Sequence, residues 1–323
     1  MKPFRQHYSA RGFVDWLEGM AEYLERGVGA LRRRTTAATQ AGETLTHMHQ
    51  DVDPTRRYCT ECLISGDDIP RQILRDHLLA LGVDSLVVAG SASRVRVHGH
   101  IGQPQQLFDA CAELGQVDAM KADDMVLQQR SAECPAQVAV ITDSASDLPA
   151  ELAERFGIHV VPVRVSLDER DYLERLGLTA AEFYRRMAQS AKLPQTSQPP
   201  PGDFRRVFEH VLGYQPAGVY VGLSRPLSGT LQSGESAARG QRKPMLCVDS
   251  GHVTVGQALL AWRAGELAQA GADAEAIAAE LERLRPLTHT LAMARDISHA
   301  VRGGRIPRWA APLVRTQGAA HWW

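Results

Sequence analysis

Two histidines stand one residue apart in "RVRVHGH", residues 94–100. Valines alternate there with polar residues, a strand pattern, and positions i and i+2 of a strand share a face. His98 and His100 therefore project side by side. Two such imidazoles can hold a metal ion or form an ordinary solvated edge, and their spacing leaves both readings open. A second set of reactive residue types lies in four short stretches, "ITDSASDLP", "QTSQPPPGDF", "GLSRPLSGT" and "CVDSGHVTVGQ". Hydroxyls and free backbone N–H groups at strand-to-helix turns suit an anionic group, either a carboxylate or a phosphate. Ser144, Ser146, Thr196 and Ser228 are also the residue types that helix N-caps require. Four such turns at one sheet edge tip the balance toward a ligand site.

The elements that carry these residues follow from periodicity. Phe13, Leu17, Met20 and Leu24 recur at helical spacing over 8–26, and a polar stretch over 28–56 reads as a linker. Between 57 and 132, the helix "IPRQILRDHLLALG", the strands "SLVVAG" and "RVRVHGH", and the helix "QPQQLFDACAELG" make a small α/β unit. "SAECPAQ" is a short joint. From Val138 to about 290, strands alternate with helices: "VAVITD", "LPAELAERFG", "IHVVPVRVSL" as one strand, "TAAEFYRRMAQ", "PGDFRRVFEHVLG", "GVYVGLS", "LSGTLQSGESAARG", "MLCVDS" and "GQALLAWRAGELAQAG". That alternation implies a parallel sheet with helices on both faces.

Composition narrows the function classes. With 323 residues, 44% hydrophobic and 23% charged, the chain reads as globular with about two domains. A formal net charge of -1 gives no electrostatic footprint for nucleic acid or a membrane surface. Arg32-Arg33-Arg34 lacks the interleaved aromatics of a nucleic-acid patch and reads as linker solubility. No apolar run reaches the roughly 18 residues of a membrane span, and the N-terminus lacks a secretory pattern. Five cysteines do not make a disulfide framework in a chain this long, so a cytoplasmic location is expected. Cys62, Cys111 and Cys247 have apolar neighbours and are expected in the core.

"VAVITDSASDLP", "LPQTSQPPPGDF", "LSGTLQSG", "VDSGHVTVGQ" and "VRGGRIP" occur in the order and spacing of the DegV family. Residues 138–307 thus resemble the fatty-acid-binding proteins that present an acyl chain to bacterial fatty acid kinase. The resemblance implies a long-chain fatty acid with its tail buried between two lobes. Its carboxylate would be held at Thr196, Ser197 and Ser228 with the Gly229 backbone, supported by the loops around Asp143, Ser144, Ser146, Asp249 and Ser250. A carboxylate leaving water needs several donors, and each buried methylene adds about 0.8 kcal/mol. Pro200 stands where a serine is common in the family, and "SLDERDYLERLGLTAAEFY" lacks the usual Asp-Gly turn. After "GGRIP" the chain continues "RWAAPLVRTQGAAHWW", so residues 291–323 read as the start of a truncated second lobe.

"RYCTE", "SLVVAG", "VRVHGH" and "ELGQVDAMKADDMVLQQ" resemble, in the same order, the middle part of the kinase's DAK-phosphatase-like subunit. "SARGFVDWLEGM" is similar to the close of that subunit's nucleotide-binding domain, making 1–27 a remnant helix of it. In that family the positions matching Cys59, His98 and His100 bind Zn2+. The implied whole is a fusion. A small α/β metal-site domain over 57–132 precedes an α/β lipid-binding lobe over 138–290, which presents a fatty acid for phosphorylation to acyl phosphate. The ATP-binding kinase domain would act in cis or in trans, and the chain by itself is not expected to turn over. The rival reading is a zinc hydrolase at Cys59, His98 and His100, with Glu61, Asp67 or Asp68 as general base. Glu61 is equally placed to orient a ligand imidazole from outside the metal's own shell.

Overall fold

The computed structural model describes residues 52–133, 136–168, 170–190, 192–291, 298–302, Pro307 and Trp309. The helix expected over 8–26, most of the 28–56 linker, Cys134 and the tail from 310 lie outside the described residues.

The small domain is an antiparallel sheet of β1 (Tyr58–Ser65), β2 (Asp84–Gly90), β3 (Arg94–Ile101) and β4 (Gln116–Asp124), in the order β2-β3-β1-β4. Helices α1 (Arg71–Ala80) and α2 (Pro104–Ala112) pack on one face, and α3 (Met125–Glu133) follows β4. Strand alternation sorts the residues. Cys62 and Ile64 of β1 and Val95 and Val97 of β3 point inward, against Leu74 and Leu78 of α1 and Leu107 and Phe108 of α2. Cys59, Glu61, His98 and His100 have the opposite parity and stay half-buried on the outer face. Cys62 and Cys111 are buried as expected, and their mutual contact together with burial pushes the Cys111 thiol up.

The large domain has two sheets. Its parallel sheet comprises β5 (Val138–Asp143), β6 (Ile158–Val161), β10 (Ala217–Gly222) and β11 (Met245–Asp249), in the order β11-β10-β5-β6. The second is a short antiparallel sheet of β7 (Arg164–Leu167), β8 (Arg170–Leu173) and β9 (Gln195–Ser197), in the order β8-β7-β9. The single strand expected at "IHVVPVRVSL" is therefore two strands in different sheets. Pro162, which has no N–H to give to a ladder, stands between them. In the β7–β8 turn Asp168 adopts φ 52, a left-handed conformation that Asp tolerates better than most residues.

Helices α4 (Ala150–Phe156), α5 (Ala180–Gln189), α6 (Pro201–Tyr214), α7 (Thr230–Ala238), α8 (Val255–Gln269), α9 (Ala274–Leu284) and α10 (Ser298–Arg302) complete the domain. Both faces of the parallel sheet are covered. Val138, Val140, Val219 and Val221 pack on α8 and α9 through Ala261, Ala264, Ile277 and Leu281. Ala139, Ile141 and Tyr220 pack on α6 and α7 through Phe204, Phe208 and Leu231. The Tyr220 ring lies 5.0 Å from Phe204 and 5.9 Å from Phe208. A Cβ on Gly234 would fall 2.4 Å from the Tyr220 ring, so only glycine lets α7 sit this close to the sheet.

The two domains join through α3, which packs on α6. Arg57 donates to Asp124 at 2.8 Å and to Glu154 at 2.5 Å, linking β1, β4 and α4. Arg206 of α6 donates to Asp123 at 3.0 Å. Ser131 donates to the Leu127 carbonyl at 3.0 Å, so its oxygen accepts from Nε2 of buried His159 at 2.9 Å. A cavity of about 240 Å³ remains at this junction, bordered by Tyr58, Asp123, Leu127, His159 and His210.

Burial, with a smaller contribution from His210, pulls the His159 imidazole from 6.5 down to about 3. Below pH 6.5 the unfolded chain takes up a proton that folded His159 refuses, so its contribution to stability is lost as pH falls toward about 3. The slope for one such group is about 1.4 kcal/mol per pH unit. Urea unfolding on either side of pH 6.5 will show a steeper decline for the native chain than for His159→Leu. Equal slopes would remove His159 from the account.

Candidate functional site

The parallel sheet's strand order places its topological switch point between β5 and β10. In open α/β sheets the crevice beyond the carboxyl ends of such strands takes the ligand. Asp143, the last residue of β5, is fully buried there. Its carboxylate accepts from the Tyr220 hydroxyl at 2.8 Å, the Leu223 N–H at 3.0 Å and the Ala145 N–H at 3.2 Å. Burial raises its pKa, and these donors counter that rise.

The other supporting residues are engaged in the same way. Ser144 accepts from the Val163 N–H at 2.8 Å and donates to Glu174. Ser146 accepts from the Leu148 N–H at 3.3 Å, and Asp249 from the Gly251 N–H at 2.9 Å. Ser250 accepts from the His252 N–H at 3.1 Å and donates to the His252 carbonyl at 3.0 Å. Thr254, at φ 53, donates its N–H to the Ala145 carbonyl at 2.8 Å, tying the β5 and β11 turns together. These side chains shape the turns with bonds to the protein itself.

The exposed hydroxyls lie to one side. Thr196 of β9 borders a cleft of about 940 Å³ whose walls include Val165, Tyr172, Leu178, Phe183, Tyr184 and Met187. Ser197, next along the strand, projects to the other face, where its register partner is Arg164. Gln198 then reaches the start of α7, where its Oε1 lies 2.0 Å from the position a Cβ on Gly229 would take. Glycine at 229 thus leaves the space that the end of the flexible Gln198 side chain occupies at the helix N-terminus. Ser228, just before it, accepts from the Thr230 N–H at 3.3 Å and lies 2.9 Å from the Thr230 hydroxyl. Thr196 and the Ser228-Gly229 turn are thus joined through Gln198, a residue whose sequence context carries no signal for this role.

The metal candidates also come together. One ligand atom each from Cys59, His98 and His100 lie within 4.8 Å of one another, the one such group among the described residues. Cys59 Sγ is 3.9 Å from His98 Nδ1. Cys59 lies on β1, the strand beside the histidines, with its Cα directly opposite that of His100. Zn–S and Zn–N bonds of about 2.3 and 2.0 Å in a tetrahedron put ligand atoms about 3.5 Å apart, so a modest side-chain adjustment closes the site. Cys59 first, then Glu61, push His98 up to about 10, and His98 first, with Lys121, draws Glu61 down to about 2. The hydrolase reading's other candidate bases, Asp67 and Asp68, lie beyond the far end of β1, which at about 3.3 Å per residue is roughly 20 Å from Cys59.

Comparison with known proteins matches residues 137–317 of this 323-residue chain to the DegV family. The chain belongs to the DegV family. Residues 55–132 match the FakA-like middle domain of fatty acid kinase. A DegV domain-containing protein of Listeria innocua is 33% identical over 173 residues, covering 53% of this chain and 61% of the relative. A fatty-acid-binding DegV family protein from Thermus thermophilus is 37% identical with a TM-score of 0.50, over 53% of this chain and 61% of that structure. DegV from Bacillus subtilis, described as a fatty acid binding protein, is 30% identical with a TM-score of 0.50, over 57% and 65%. This DegV chain therefore spans about three-fifths of the length of these relatives. No helix among the described residues is long and apolar enough to cross a membrane.

The buried carboxylate on which the DegV turns depend gives a direct test. Asp143→Ala leaves the Tyr220 hydroxyl and the Leu223 N–H without an acceptor. At roughly 1–3 kcal/mol for each orphaned group, a loss of about 3 kcal/mol is expected in chemical denaturation. A loss below about 1 kcal/mol would show that the network is dispensable.

Proposed function

We propose that this chain binds a long-chain fatty acid and presents its carboxylate for phosphorylation to acyl phosphate by a fatty-acid-kinase-type system. The observation that carries this reading is the cleft of about 940 Å³ that Thr196 borders, lined by apolar side chains such as Val165, Leu178, Phe183 and Met187 beside the charged Glu174 and Arg175. Thr196, Ser228 and the Gly229 N–H at the start of α7 would receive the carboxylate, while Ser197 alternates to the opposite face of β9. A helix N-terminus favours an anion through its free N–H groups and its dipole. The tail supplies affinity at about 0.8 kcal/mol per buried methylene, and the head fixes orientation. Fatty-acid binding by the Thermus thermophilus and Bacillus subtilis relatives supports the same assignment.

The kinase-like middle segment supports a role beside an ATP-binding domain, in cis or in trans. Covalent linkage of acyl carrier and kinase part raises their effective concentration. Zn2+ would be held by Cys59, His98 and His100, whose thiol and imidazole donors suit that ion. It would supply a fixed cationic centre on the outer face of the small domain's sheet.

Native mass spectrometry of the purified chain is expected to show one long-chain fatty acid per protein. Thr196→Val with Ser228→Ala is expected to lower affinity at least tenfold, about 1.4 kcal/mol. Protein that neither carries nor takes up a long-chain acid would sink the proposal. Metal analysis is expected to give one zinc per chain, lost in Cys59→Ser with His98→Ala. Unchanged zinc in that variant would return the two histidines to a solvated edge.

A further inference from the structure

The cleft beside Thr196 and the cavity at the domain junction are separate spaces, and Glu174 and Arg175 are the two residues that border both. On the cleft face of the short sheet, one rung reads Tyr172, Val165 and Thr196 across β8, β7 and β9. The Glu174 N–H donates to the Val163 carbonyl at 2.9 Å, which extends the ladder past Tyr172 and keeps Glu174 on the same face. Crossing from β9 to β8 covers two strand spacings, about 10 Å. The cleft thus has Thr196 at one edge of the sheet and the Glu174-Arg175 turn at the other.

Both domains hold this turn in place. The Ser144 hydroxyl donates to Glu174, and Arg175 donates to the Leu148 carbonyl at 2.5 Å and to Asp147 at 3.3 Å. Leu173 belongs to the small domain's core, with Leu176 packed against it. A Cβ on Gly177 would fall 2.6 Å from Gln105 Oε1 of α2. Arg175 itself stands at φ 68, a left-handed conformation that costs a residue with a Cβ. A strained residue is therefore kept in the wall between two spaces by its surroundings. Beyond that wall the cavity is bordered by Leu148, Ala153, Ile158, Val161 and Val207. Its charged groups are paired, Arg57 with Asp124 and Glu154, and Arg206 with Asp123. Burial holds both its imidazoles, His159 and His210, below their ordinary range. An apolar tail there would meet paired charges and neutral rings.

We infer that Arg175 sets the length of acyl chain that the cleft takes, because its side chain closes the cleft off from the junction cavity. The inference rests on the fatty-acid reading of the cleft. A tail that leaves Thr196 across the sheet runs up against the Glu174-Arg175 turn, and methylenes that find no room before it stay in water. Each methylene that does leave water is worth about fourfold in affinity. Removing the Arg175 side chain joins the two spaces and gives the end of a longer tail an apolar wall to lie on. The kinase-like domain takes part in this selection, since Leu173 and Leu176 seat the turn against its core.

The test uses the full chain and the saturated acids from dodecanoic to eicosanoic, each competing with a fluorescent fatty acid. In the native chain, affinity is expected to rise with tail length and then level off. Arg175→Gly, which suits φ 68, is expected to move that plateau to longer acids, with a gain of about fourfold for each methylene admitted. Arg175→Lys, which keeps a donor for the Leu148 carbonyl, is expected to retain the native plateau. Ala153→Leu fills the junction cavity without touching the cleft, and in the Arg175→Gly background it is expected to cancel the gain. Circular dichroism checks that each variant is folded. An unmoved plateau in Arg175→Gly overturns the inference, as does a gain that survives Ala153→Leu. An equal loss for every acid also overturns it, by making Arg175 a head-group residue. A native chain that binds none of these acids overturns the fatty-acid reading itself, an outcome distinct from native binding whose length limit ignores Arg175.

Discussion

The large domain is organised around a carboxylate that has no access to water. Burying an ionisable group costs several kcal/mol unless donors surround it, and Asp143 finds them on three different segments. Tyr220 comes from the middle of β10, Leu223 from the turn after it, and Ala145 from the turn after β5. Satisfying this one group fixes how the two strand ends are spaced at the switch point. Ser144, in the same turn, fixes the start of the second sheet through Val163. That sheet in turn carries Thr196, whose register partner is Val165. Thr196's place beside the cleft thus depends on a sheet whose start is fixed in the turn that follows Asp143.

The two candidate sites are built on opposite principles. The candidate fatty-acid site draws on a short strand, β9, and on the turn before α7, where Gly229 leaves room for the Gln198 side chain. The metal group uses no turn. It is a patch of an antiparallel sheet, and strand pairing alone brings Cys59 beside the histidines. The first arrangement suits a ligand that must enter and leave, the second a centre whose spacing is set by the backbone ladder.

Much of this is legible in the sequence because the strands of the parallel sheet are continuous apolar runs and the helices around it are periodic. Where local signals are absent, sequence reasoning fails in specific ways. Pro162 sits inside an otherwise unbroken strand pattern, and only the structure shows the chain passing there from one sheet to another. β9 has three residues and no apolar period. β4, "QVDAMKADD", is rich in residue types that strands disfavour, and its place follows from pairing with β1. Without β1 recognised as a strand, the sequence does not show that Cys59 stands beside the histidines. The His98 and His100 pair is visible from the period of two, whereas Gln198 gives no signal, its position depending on a turn some thirty residues away.

The spacing of Cys59 and Cys62 carries a practical consequence. An odd separation along a strand sends the two side chains to opposite faces, so one sulfur lies on the accessible side while the other is sealed beside Cys111. Two thiols three positions apart therefore live in different chemical worlds. A thiol-directed fluorophore or spin label would meet Cys59 long before Cys62, placing a reporter at the metal patch without removing the second cysteine.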